Sequence, residues 1–132
     1  MLFRSVVPAA RMKAKREHRV PLCDRCLAIR GELAPIGGQW LFPGGKRGKP
    51  LSNMAMLELL RGMVDGATVH GFRASFKTWA EEATEFPREV IEAAMAHLIG
   101  DNAERAYRRG DMLDRRRDLM LAWERYCAGA AQ

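Results

Sequence analysis

The chain has 132 residues, enough for one compact domain with its own core. Its 22 lysines and arginines against 16 acidic residues give a net charge of +6, which makes a polyanion such as nucleic acid a natural partner, although several solvated basic faces would give the same total. No apolar run approaches the roughly eighteen residues of a membrane-spanning helix, and Met1 to Arg19 contain no cleavable hydrophobic stretch, so a soluble, unexported protein with no membrane partner is expected, in the cytoplasm at the nucleoid.

Two segments, Val6 to Met12 and His18 to Leu22, flank the charged stretch Lys13 to Glu17 and predict a small antiparallel hairpin with a basic tip. Cys23 and Cys26 form a CxxC spacing, but no second pair of ligands completes a zinc site, and three cysteines in an unexported chain point to reduced thiols. No metal is expected. Asp24 is placed to cap a helix to about Leu33, with Leu27, Ala28 and Leu33 as a core-facing stripe and Pro35, Gly37 and Gly38 as its stop. From Gly37 to Pro50, glycine, proline and lysine predict a basic loop pinned by Trp40, Leu41 and Phe42. Ser52 is placed to cap a helix to about Val64, whose Met56, Leu59, Leu60 and Met63 recur at three- and four-residue steps.

A helix from His70 to Ala83 follows, with Phe72, Phe76, Trp79 and Ala83 as a buried stripe and Arg73 and Lys77 on another face. Pro87 suits the first turn of a helix to about Ala96, which directs Val90, Ile91, Ala94 and Met95 inward and leaves His97 just past its end. Asp101 can cap a short helix carrying Tyr107, closed by Gly110. The last helix, Met112 to Cys127, turns Met112, Leu119, Trp123 and Tyr126 to one face and Arg115, Arg116 and Arg117 to its polar side. The expected fold is mainly α, one domain over residues 1–132, with the hairpin at 6–22 and a helical body at 24–127.

The second half also holds a spaced chemical set: His70 and Arg73, then His97 24 residues after Arg73, then Tyr107 10 residues after His97. A phosphodiester resists attack because its charged oxygens repel nucleophiles and an alkoxide leaves poorly, so its cleavage needs charge neutralisation and proton transfer. Arginine and histidine supply the first. His70 and Arg73 fall on neighbouring positions at a helix N-terminus, where backbone N–H groups favour an anion. A tyrosine hydroxyl, with an ordinary pKa of about 10, attacks only when a base or a positive field eases loss of its proton; His97 or His70 could serve. The phosphotyrosyl product would conserve the phosphodiester's energy, so that a second DNA hydroxyl could reverse the step without ATP, metal or cofactor.

From Leu51 to Cys127 the sequence resembles the C-terminal catalytic part of prophage-type integrases of the tyrosine recombinase family. The matching motifs are Thr68-Val69-His70-Gly71-Phe72-Arg73, Phe86-Pro87-Arg88-Glu89-Val90, Ala96-His97 and Ala106-Tyr107-Arg108-Arg109-Gly110-Asp111. Val7-Pro8-Ala9, Arg11-Met12-Lys13 and His18-Arg19-Val20-Pro21-Leu22 resemble the family's strand hairpin. The resemblance implies double-stranded DNA as partner and site-specific recombination by tyrosine–phosphodiester transesterification. It assigns Lys13 to protonating the leaving 5′ oxygen, His70 to assisting proton transfer, Arg73 to clamping the phosphate, His97 to hydrogen-bonding it, and Tyr107 to nucleophilic attack. Lys15 is an alternative to Lys13.

The family's sixth catalytic group, an arginine upstream of the hairpin, has no counterpart in these 132 residues, because the matching region opens essentially at Met1. Loss of one preorganised donor costs about 2.7–4 kcal/mol of transition-state stabilisation, so negligible recombination by this chain alone is expected. Two other readings stand beside this one. The chain could be a non-catalytic DNA-binding or interaction module, joining a homo-oligomer or a full-length integrase protomer through its last helix, or an inactive prophage remnant. Arg115, Arg116 and Arg117 stay open between solvation, phosphate contact and contact with a neighbouring protomer.

Overall fold

A computed structural model describes residues 3–98, 100 and 110–129. Tyr107 and the helix expected around it lie outside the described residues. Two strands, β1 (Arg4–Val7) and β2 (His18–Pro21), precede helices α1 (Asp24–Gly37), α2 (Ala55–Arg61), α3 (Gly71–Ala83), α4 (Arg88–Ala94) and α5 (Leu113–Cys127). The fold is therefore mainly helical with an N-terminal antiparallel hairpin, as its sequence pattern predicts. The chain divides into two compact units, one of residues 1–23 with 76–132 and the other of residues 24–75.

In the first unit β1 and β2 pair in register, Arg4 opposite Pro21 and Val7 opposite His18. The first strand is shorter than its sequence suggests. Proline has no N–H to give a ladder, and from Pro8 the chain turns instead: Arg11 N–H donates to the Pro8 carbonyl at 2.9 Å and Met12 N–H to that of Ala9 at 3.1 Å, making a 3-10 turn over Ala9–Arg11.

The unit's core is one apolar cluster. Phe76, Trp79 and Ala80 of α3 meet Val90 and Ile91 of α4, Met95 just after it, and Leu119 of α5, all buried. Trp123 closes it with aromatic contacts, its ring centroid 5.3 Å from Phe76 edge-on and 5.0 Å from Trp79. Two residues expected in the α3 stripe are not part of it: Phe72 is 58% exposed and Ala83 is exposed. Arg116, expected on the polar side of α5, is 1% exposed.

The second unit departs further from the sequence reading. Helix α1 runs through Pro35 to Gly37, and its intended core stripe is at best half-buried, Leu27 and Leu33 being intermediate and Ala28 exposed. In α2 Leu60 is buried while Met56 and Leu59, and Met63 just past the helix, are 61%, 68% and 71% exposed. Ser52 gives α2 a backbone carbonyl, accepting from Ala55 N–H at 3.2 Å, and the N-cap position is Met54 without a side-chain cap.

The basic loop is ordered by its own backbone. Pro43 pairs with Pro50, Gly44 N–H donates to the Lys49 carbonyl at 2.8 Å, and the Trp40 indole donates to the Gly48 carbonyl at 3.1 Å. A Cβ at Gly44 would lie 2.3 Å from the Pro50 carbonyl oxygen, so only glycine fits that crossing. Lys46, Arg47 and Lys49 project from this ladder exposed, while Trp40, Leu41 and Phe42 are themselves more than a third exposed.

Candidate phosphodiester site

His70 and Arg73 stand in the second unit at the start of α3. Thr68 Oγ1 accepts from Gly71 N–H at 3.0 Å, a side-chain cap that starts the helix one residue after His70. Both His70 and Arg73 are exposed. The backbone N–H groups expected to favour an anion there are already used: Phe72 N–H donates to the Val69 carbonyl at 3.3 Å and Arg73 N–H to that of His70 at 3.0 Å. Anion binding at this end therefore falls to the two side chains.

The other described candidates lie in the first unit. Lys13 is exposed at the hairpin tip, and its neighbours Met12 and Ala14 line a cleft of about 140 Å³. His97 lines the same cleft from the end of α4, with Arg16 and His18 from the hairpin, Gly110 from the segment leading into α5 and Arg116 from α5 itself. Hairpin tip and His97 thus share one concavity, and Lys15, at φ +54°, stands at the same tip.

His97 is placed by the way α4 ends. Ala96 takes a left-handed φ of +55°, Ala96 N–H donates to the Ala93 carbonyl at 3.1 Å, and His97 N–H reaches back to that of Glu92 at 3.0 Å. This is the paired bonding of a Schellman cap, usually built on glycine. It turns the imidazole back over the helix, where Nδ1 lies 2.5 Å from Glu92 Oε2. Ala96→Gly, which removes the steric penalty of a Cβ in this conformation, is expected to raise stability by up to about 1 kcal/mol, read as a higher denaturation midpoint with unchanged slope.

A second polar cluster ties the hairpin to α5. The Arg19 guanidinium grips Asp111 through two bonds of 2.6 and 2.5 Å. Arg116 donates to the Arg19 carbonyl at 2.5 Å and the Asp111 carbonyl at 3.2 Å, and lies 3.4 Å from His18 Nε2. Sequence reasoning missed this cluster, although arithmetic could have found it: Met112, Arg116, Leu119 and Trp123 are spaced as one face of a helix. Of its neighbours, Arg115 lies 3.3 Å from Glu89 of α4 and Arg117 is exposed.

Charge interactions set two carboxyls low. Hydrogen bonding from Lys77 first, and from His97 second, holds Glu92 below the ordinary glutamate range. Burial pushes Asp111 up, but the Arg19 fork and the charges of Arg19 and Arg116 leave it below the usual range. A carboxyl depressed in the folded state contributes stability that is complete above its unfolded pKa, about 4, and disappears as pH falls through the folded value. Urea midpoints are accordingly expected to fall on acidification below about pH 4, and Glu92→Gln or Asp111→Asn to flatten that decline. Among the described residues no three His, Cys, Asp or Glu side chains converge as metal ligands, and no helix is long and apolar enough to cross a membrane.

The sequence is 40% identical over 122 residues to prophage integrase IntA of Escherichia coli strain K12, a match covering 89% of this chain and 29% of the relative. It is 30% identical over 126 residues to the integrase of Shigella phage Sf6, covering 89% and 32%. With prophage integrase IntZ of Escherichia coli strain K12 the identity is 33% over 118 residues, covering 86% and 29%. The chain spans about three-tenths of the length of the curated relatives it matches. No family model and no solved structure matches it.

Proposed function

Because the chain belongs to the prophage-type integrases of the tyrosine recombinase family, we propose that it carries five of the groups of a DNA strand-transfer site: Lys13, His70, Arg73, His97 and Tyr107. The observation that supports this reading is the cleft lined both by His97 and by Met12 and Ala14, the neighbours of Lys13 at the hairpin tip, more than eighty residues away in sequence. In the proposed step the Tyr107 oxygen bonds to phosphorus as the bond to the 5′ oxygen breaks. The phenol's proton passes to a histidine, and the leaving 5′ oxygen takes a proton from Lys13. Arg73 and His97 hold the non-bridging oxygens, where the charge of the transition state collects.

These 132 residues carry five of the family's six groups, and one missing donor of this kind costs a catalytic site roughly a hundred- to thousandfold in rate. For these residues acting alone the proposal is therefore duplex DNA binding with little strand cleavage. The exposed cations of the hairpin tip and of the Lys46–Lys49 loop, the latter braced by its own hydrogen bonds, favour this binding role. Duplex affinity is expected to fall steeply between 50 and 200 mM salt, as for any protein held by several phosphate contacts. A nicked duplex that traps the covalent intermediate is the test of both halves. Binding that weakens with salt, with little or no protein–DNA adduct, is the expected result. Adduct accumulating through Tyr107, and abolished in Tyr107→Phe, would overturn the impaired rate, and no binding even at low salt would overturn the DNA reading.

A further inference from the structure

Beneath His97 the first unit holds a line of three ionisable groups, two of which have no place in the five-residue set. Glu92, 8% exposed, places Oε2 2.5 Å from His97 Nδ1 and Oε1 2.7 Å from Lys77 Nζ. Glu81 also lies 3.7 Å from the Lys77 ammonium, from the next turn of α3. Ammonium groups only donate hydrogen bonds and ionised carboxylates only accept them. Lys77 therefore holds Oε1 as the cation of an ion pair, and at Oε2 donation runs one way, from Nδ1–H of His97.

We propose that Glu92 is a positioning residue which, braced by Lys77, keeps a proton on Nδ1 of His97 whether the ring is neutral or charged. The nitrogen that gains and loses a proton is then Nε2, and Nε2 is the one that meets a phosphate oxygen. The hydrogen bond at one ring nitrogen decides the chemistry of the other, and two features hold this one in place. The backbone bond from His97 N–H to the Glu92 carbonyl fixes the ring's root over the carboxylate. The Lys77 contact fixes the carboxylate itself, so its second oxygen cannot swing away from the imidazole. That Nε2 addresses a phosphodiester rests on the function proposed above; the position of the proton does not.

Nitrogen-15 spectra of the histidine rings in the full chain, with His97 assigned through His97→Asn, read the tautomer directly. At a pH where the ring is neutral, the expected pattern is a protonated Nδ1 and a bare Nε2. Glu92→Gln is expected to reverse it. Lys77 can only donate, so the amide oxygen turns to Lys77 and the amide NH₂ to Nδ1, which becomes an acceptor and sends the proton to Nε2. Adding Lys77→Met to Glu92→Gln lets the amide turn over and returns the proton to Nδ1, a rescue that mere loosening of the fold would not produce. Wild-type protein with its neutral proton on Nε2 would overturn the proposal, as would a Glu92→Gln protein with an unchanged tautomer. Should Glu92→Gln not fold, the wild-type spectrum still decides. None of these readouts needs DNA, so failure of DNA binding or cleavage would count against the proposed function and leave this assignment standing.

Discussion

Arg116→Ala is expected to destabilise the first unit by about 3–5 kcal/mol, the cost of breaking a buried charged network from one side. The guanidinium is almost wholly enclosed, and it binds the carbonyl oxygens of Arg19 and Asp111 while lying 3.8 Å from the Asp111 carboxylate. Alanine would leave both carbonyls without that donor and a cavity in the space of the longest side chain on the inner face of α5. Arg116→Lys keeps the charge without the planar fork, which no ammonium reproduces, so an intermediate loss is expected. Chemical denaturation of the three proteins measures this directly. Equal midpoints for wild type and Arg116→Ala would mean that the cluster does not hold the hairpin.

The second large effect is at Trp79. This indole is 7% exposed and stands in a set of four aromatic rings, its centroid 6.1 Å from Phe76, 5.0 Å from Trp123 and 5.4 Å from Tyr126. Trp79→Ala removes buried area and several ring contacts together, and a loss of about 3–5 kcal/mol is expected, in the range of aromatic-to-alanine changes in packed cores. Phe72→Ala makes the internal comparison. It lies two helical turns earlier on the same side of α3 but is more than half exposed, so a much smaller change is expected. Similar losses for both would place the core boundary of α3 wrongly.

Helical periodicity made α3, α4 and α5 readable, and the tight turn chemistry around Pro87 fixed where α4 begins. What periodicity does not carry is where a stripe stops finding partners. Phe72 has the right phase, yet the residues that close over α3, namely Val90, Ile91, Leu119 and Trp123, meet it from Phe76 onward. Arg116 differs from expectation for the opposite reason: its phase is inward, whereas its charge suggests the polar side of α5. An arginine can be enclosed when backbone carbonyls and a carboxylate are brought to it, and those partners come from residues 5 to 97 positions away. In the candidate site, residue types and spacings name His70, Arg73, His97 and Tyr107, and the family resemblance adds Lys13, but neither names the support beneath them. Glu92 reads as an ordinary polar position of a short helix until α3 delivers Lys77 to one of its oxygens and the left-handed Ala96 folds His97 onto the other.

Among the described residues the hairpin sends no side chain into the apolar cluster. Its polar hold on α5 is made of directional bonds around Arg19, Asp111 and Arg116, which form or fail together, whereas dispersion forces yield by degrees. Cohesion in this unit is therefore tiered. The two strands are expected to part from the helices as one body before the aromatic interior opens, read as faster amide hydrogen exchange in β1 and β2 than in α3 and α5.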